Sequence, residues 1–160
     1  MILCKFISKK LNEAKSYLKI HGKKNYDRQY GEELEKGWLL FADVLISVKK
    51  NGTAKQLLNK CLKFNRSCGK AEEYLGLIAE QEDQYKDAIQ HYQRAWLLFN
   101  ENSPSIGYRL AKCYFQKNDY VGCVSICQKI LKRWPNYPGI KKKLLSKAIL
   151  KIRRWLSLNI

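Results

Sequence analysis

Residues 71–100 read AEEYLGLIAEQEDQYKDAIQHYQRAWLLFN. Ala71, Tyr74, Leu75 and Ile78 recur three and four apart and therefore share one helix face. After a polar break at Glu82–Gln84, residues Ala88, Ile89, Tyr92, Ala95, Trp96 and Phe99 repeat the pattern. Gly76, Ala88 and Ala95 are small at positions where a large side chain would hold two antiparallel helices apart. The stretch predicts a pair of amphipathic helices joined by a tight turn.

The same pattern lies on both sides of it. Trp38, Ala42, Leu45, Ala54 and Leu58 fall 34 residues before Glu72, Gly76, Ala79, Ala88 and Tyr92. Asn51-Gly52 reads as the break in this earlier pair, and Thr53 as the N-cap of its second helix. Downstream, Pro104 opens a helix carrying Leu110, Ala111 and Tyr114, and Asn118-Asp119 turns the chain. Tyr120, Cys123, Cys127 and Ile130 then fall 35 residues after Tyr85, Ala88, Tyr92 and Ala95, and Trp134-Pro135 closes the copy. The spacing resembles the tetratricopeptide (TPR) repeat, an antiparallel helix pair of about 34 residues. The central copy departs from it, with Glu72 for the usual Trp, Ala79 for Tyr and Asn100 for the closing Pro.

The expected fold is an all-α, TPR-like α-solenoid of antiparallel helix pairs, about seven to eight helices in all. A basic helix over residues 2–19, ending near His21-Gly22, and a charged loop over 22–33 make up an N-terminal segment, 1–34. Repeats follow over 35–68, 69–103 and 104–137, with a basic capping helix in 138–160. A chain of 160 residues with 46% apolar content can bury a sizeable core. The longest apolar run, Trp38–Val48, is interrupted by Asp43 and too short to span a bilayer. The N-terminal MILCKFISKK is broken at Lys5 and reads as no secretory signal; it has no Arg and few hydroxyl residues, unlike a mitochondrial presequence.

The formal charge of +17 is concentrated at the ends. Residues 1–24 hold seven Lys against Glu13, and residues 139–160 hold seven Lys/Arg and no acid. The stretch 25–138 holds seventeen basic and thirteen acidic residues. Basic ends attract nucleic acid, an anionic membrane or an acidic protein surface, or simply solvate a helix face. Six cysteines suit a reducing compartment. Cys61, Cys113, Cys123 and Cys127 fall at small or apolar helix positions, where a free Cys packs as a small hydrophobe. A metal site built on Cys113, Cys123 and Cys127 has little support, because no CxxC pair exists and His21 and His91 lie far off in sequence.

The sequence contains no phosphate-binding Gly-rich loop after a strand, no HExxH and no GxSxG, so no enzyme, cofactor or resident metal is expected. Glu72-Glu73, Glu80, Glu82-Asp83 and Asp87 read as solvated or helix-end acids. Function then rests on binding. The groove positions of the repeat hold Lys36, Leu39 and Asp43; Lys70, Glu73 and Leu77; and Tyr108, Lys112 and Phe115. Tyr108 and Phe115 are the expected anchors. TPR proteins that hold chaperone C-termini use an Asn where this chain has Leu40, Tyr74 and Arg109, which argues against that role.

A narrower resemblance rests on residues outside the repeat positions. WLLFAD (38–43), LLNKCLKF (57–64), KAEEYLG (70–76), YKDA (85–88) with Ala95-Trp96, and PNYP (135–138) together resemble the C-terminal end of the tetratricopeptide repeat protein twenty-one family, over roughly residues 10–150. That family supplies the large TPR subunit of intraflagellar transport complex A. The resemblance implies a scaffold for retrograde ciliary transport, cilium assembly and protein localisation to cilia. It implies other complex A subunits as partners and a cytoplasmic and ciliary location, at the axoneme or basal body. Members are much longer solenoids, so the chain reads as a fragment, a short isoform or a truncated product. The second reading is a basic helical-repeat protein that binds RNA or other nucleic acid, disfavoured because the charge lies at the ends rather than along a groove.

Overall fold

A residue in the left-handed region, with φ between 51° and 63°, ends four of the described helices. In the computed structural model, residues 28–158 are described, together with Asn12 and Ser16. The expected helix over 2–19 and its end at Gly22 lie outside the described residues. Seven α-helices occur among the described residues, and no strand. They are α1 (Arg28–Ser47), α2 (Asn51–Phe64), α3 (Gly69–Gln81), α4 (Tyr85–Leu98), α5 (Pro104–Gln116), α6 (Tyr120–Arg133) and α7 (Ser146–Leu158). A π-helical stretch, Ile140–Leu145, leads directly into α7. No helix of the described residues is long and apolar enough to cross a membrane.

The left-handed residues at these ends are Lys49, Asp83, Asn100, with Glu101 left-handed beside it, and Asn118. At Lys49 the amide donates to Ile46 O at 3.0 Å, and the next amide, Lys50, reaches back to Leu45 O at 2.8 Å. Asp83/Gln84, Asn100/Glu101 and Asn118/Asp119 make the same two bonds, which satisfies carbonyls that a helix end otherwise leaves open. Lys49, Asp83 and Asn118 are 34 and 35 residues apart, so one reversal recurs once per repeat. The reversal corrects two expectations. The first break falls at Lys49 rather than Asn51-Gly52, which begin α2. Thr53 is consequently exposed inside α2 and no N-cap; the cap position is Lys50, whose side chain makes no capping bond. At the third copy Asp119 does cap α6, its Oδ1 accepting from the Gly122 amide at 2.9 Å.

The chain divides into two units, Met1–Ile78 and Ala79–Ile160, with the division inside α3. In the first, α1 packs on α2. Its core is Ala42, Leu45 and Ile46 of α1, Ala54, Leu58 and Cys61 of α2, Cys68, and Ala71, Leu75 and Ile78 of α3. Residues 28–33 begin α1 and are no loop. Glu32 is exposed, while Gly31 lies where any β-carbon would run into the Phe64 ring. Ala42 and Ala54 are fully buried, as expected for small residues where two helices approach closely.

In the second unit α5 packs between α4 and α6, and α7 with its π-helical lead-in packs on α6. Ala88, Ile89, Tyr92, Ala95 and Trp96 of α4 meet Ile106, Leu110, Ala111 and Cys113 of α5, and Cys123, Cys127 and Ile130 of α6. Gly107 is a point of close approach: a β-carbon there would come 2.9 Å from Ile130 Cδ1 and 3.4 Å from Trp96 Cε2. The last helix departs from the expected α-helical start at residue 138. Gly139 takes φ 81°, the left-handed conformation that costs glycine least, and a wider π turn follows. That turn brings Ile140, Leu144 and Ala148 onto one buried face.

Candidate functional site

The expected groove positions of the first unit gather around Tyr74. Lys70 Nζ pairs with Glu73 Oε2 at 2.8 Å and stands 4.8 Å from the centroid of the Tyr74 ring. Burial first, then the charges of Asp43 and Glu73, push the Tyr74 phenol well above its ordinary range. Asp43, Lys70 and Glu73, from α1 and α3, are thus brought together. Leu39 and Leu77 are half-buried against the core of this unit, and Lys36 is exposed.

In the second unit the anchors are engaged within the chain. The Tyr108 ring lies 6.1 Å from that of Tyr137, and Phe115 meets Tyr120 edge-on at 5.4 Å. Both anchors are half-buried. Lys112 is exposed, but its Nζ donates to Glu80 Oε1 at 2.8 Å.

Glu80 is a hub that sequence reasoning missed. Its Oε2 also accepts from Arg109 Nη1 at 3.1 Å and from the Tyr92 hydroxyl at 2.9 Å. Burial alone would raise the Glu80 carboxyl. The hydrogen bonds from Lys112 and Tyr92, then the charges of Lys112 and Arg109, outweigh it and hold the group below the usual carboxylate range. Glu80 is therefore no solvated surface acid. Glu72 also departs from that expectation, at 5% exposure. The available signal was the period: Arg109 and Lys112 lie 29 and 32 residues beyond Glu80, about one repeat away.

Two further features define the surface of the second unit. Gln90, Gln93, Trp96, Leu97, Ile126 and Lys129 are among the residues that line an open groove of about 400 Å³. Lys129 Nζ pairs with Glu101 at 2.9 Å and lies 5.5 Å from the centroid of the Trp96 ring. Arg133 Nη1 donates to the carbonyls of Asn100 and Glu101 at 3.1 Å each, tying α6 to the end of α4. The face of α7 is basic and greasy at once, with Lys147, Lys151, Arg153 and Arg154 exposed beside Leu150 and Trp155.

The cysteines are free and buried at positions 61, 68, 113, 123 and 127. Burial first, then the Glu80 charge, pushes the Cys113 thiol up to about 12, so it stays protonated as a packing group. Cys61 donates to Cys68, Sγ to Sγ 3.6 Å, which raises the first thiol and lowers the second. Asn65 links the two through the loop, giving its Nδ2–H to Glu35 Oε2 at 2.9 Å and accepting the Ser67 amide at 3.0 Å.

Comparison with known proteins places this geometry. Residues 1–149 match the family described as the tetratricopeptide repeat protein 21 C-terminal ARM domain. Tetratricopeptide repeat protein 21B of Xenopus laevis is 45% identical over 135 residues, 84% of this chain and 10% of that protein. The Homo sapiens 21B protein is 42% identical over 147 residues, 92% of this chain and 11% of that protein. Homo sapiens protein 21A is 38% identical over 145 residues, again 11% of its length. The chain thus spans about a tenth of the length of these relatives. Among solved structures, a MamA mutant superposes with TM-score 0.65 at 16% identity, covering 94% of this chain and 88% of that one. PcrH from Pseudomonas aeruginosa gives 0.57 at 17% identity, covering 82% and 95%. These two share the fold alone. By its sequence match across nearly the whole length, this chain belongs to the tetratricopeptide repeat protein 21 family, as part of its C-terminal domain.

Proposed function

We propose that the chain is a non-catalytic protein-interaction scaffold of intraflagellar transport complex A. Its role is in retrograde ciliary transport, cilium assembly and protein localisation to cilia. The observation that carries this reading is the family match over residues 1–149. The partners are other complex A subunits, and the location is the cytoplasm and the cilium, at the axoneme or basal body. On the first unit Lys36, Leu39, Asp43, Lys70, Glu73 and Leu77 supply the contact surface; on the second, Tyr108, Lys112 and Phe115 do. The basic ends meet an acidic protein or membrane surface. The chemistry supports a binding role: Glu80 is occupied by three donors, which leaves it a structural group rather than a proton carrier.

The net charge of +17 favours a second reading, binding of RNA or other nucleic acid. A salt titration of the chain against single-stranded and duplex RNA separates the two. The scaffold reading predicts weak binding with a shallow salt dependence. Tight binding that falls steeply with salt would replace it with the nucleic-acid reading.

A further inference from the structure

Three metal-ligating side chains converge in the first unit, from parts of the chain that sequence spacing does not connect. Glu35 lies on α1, Cys61 on α2, and Cys68 immediately before α3. Their carboxylate oxygen and two sulfurs all lie within 4.8 Å of one another, and both cysteines are buried. Among the described residues no other group of three such side chains converges in this way. We propose that Glu35, Cys61 and Cys68 form a binding site for one zinc-class divalent ion.

The geometry suits that ion. Two thiolates at about 2.3 Å from a tetrahedral zinc stand about 3.8 Å apart, and Cys61 Sγ and Cys68 Sγ stand 3.6 Å apart. The donor set is mixed, two soft sulfurs and one hard oxygen. Magnesium and calcium take oxygen ligands and leave the sulfurs unused; copper(I) takes the sulfurs and leaves the carboxylate unused. Zinc accepts all three, with water in the fourth position. Glu35 is also held from outside, because Asn65 Nδ2 donates to its Oε2 at 2.9 Å. Asn65 is in turn fixed by the Ser67 amide. A carboxylate oriented in this way is the support a metal ligand commonly has. Cys123 and Cys127 form the contrasting case: both are buried in the second unit, and no carboxylate joins them in a comparable cluster among the described residues.

Binding replaces the two S–H bonds with metal–sulfur bonds and releases the two protons to solvent. The ion would tie α1, the end of α2 and the start of α3 together, and so stabilise the fold to which it binds.

The test uses the full chain, fully reduced and stripped of metal, titrated with cobalt(II) and then zinc(II). The expected result is a sulfur-to-cobalt charge-transfer band saturating at about one ion per chain, bleached by zinc, with a higher melting temperature in the zinc-loaded protein. Cys61→Ser and Cys68→Ser should lose the band, while Cys123→Ser and Cys127→Ser keep it. Glu35→Gln keeps both sulfurs and the fold, and should weaken zinc binding about tenfold or more; Asn65→Ala, a positioning change, should weaken it about 10–100-fold. Absence of a band from the reduced wild-type chain overturns the proposal. So does a band that survives in Cys61→Ser and Cys68→Ser, or zinc affinity unchanged in Glu35→Gln.

Discussion

Glu80 concentrates the electrostatics of the second unit at one residue. Three donors reach it from α4 and α5: the Tyr92 hydroxyl, Arg109 and Lys112. Tyr92 is fully buried, so its hydroxyl loses its acceptor if Glu80 is removed. Arg109 and Lys112 are 42% and 49% exposed, so solvent screens their share. Glu80→Ala should therefore cost about 1–3 kcal/mol at neutral pH, mostly from the orphaned hydroxyl. Because the folded carboxyl is held below its unfolded value, its contribution is present above the unfolded pKa of about 4.3 and is lost as pH falls through the folded value. Urea midpoints measured from neutral pH down into the acid range should fall more steeply for wild type than for Glu80→Ala. Parallel curves would show that the hub contributes nothing to stability.

At the scale of the element, the reversal between helices repeats while its residue changes. Asp83 and Asn118 are residue types that tolerate the left-handed conformation, and each accepts the hydroxyl of the tyrosine two residues on. Lys49 has neither advantage, and a left-handed L-residue costs roughly 1–2 kcal/mol. Lys49→Gly should recover up to about 1 kcal/mol after the entropy glycine adds to the unfolded chain. A lower urea midpoint in this variant would contradict the reversal as described. Ala88 tests the packing within the core of the second unit. It is fully buried, and Ala88→Phe should lower stability by about 1–3 kcal/mol through overpacking; a melting temperature at or above wild type would contradict that placement. The helices themselves were legible because their apolar positions recur at a fixed period. The break at Lys49 was not, because no Gly, Asn or Pro marks it, and the misplaced Thr53 cap followed from it. The Glu80 hub and the Glu35–Cys61–Cys68 cluster were hidden for another reason: Arg109 and Lys112 lie 29 and 32 residues from Glu80, and Glu35 lies 26 and 33 residues from the two cysteines, so they meet only after helices pack.

For the whole molecule, the repeat period of 34 and 35 residues made the fold class readable, and the words between the repeat positions made the family readable. Periodicity places Tyr108 and Phe115 on a face but not against a particular ring; Tyr137 and Tyr120 stand against them. Lys147, Lys151, Arg153 and Arg154, four of the seven cations in residues 139–160, lie exposed on α7. The chain spans about a tenth of the length of its relatives, and the proposed function is that it binds as a scaffold. The most direct measurement is quantitative co-purification of the tagged chain from ciliated cells, set against a variant carrying Lys70→Glu and Arg154→Glu. Complex A subunits should be enriched with the wild-type chain and reduced with the variant. Recovery of no complex A subunit by the wild-type chain would contradict it.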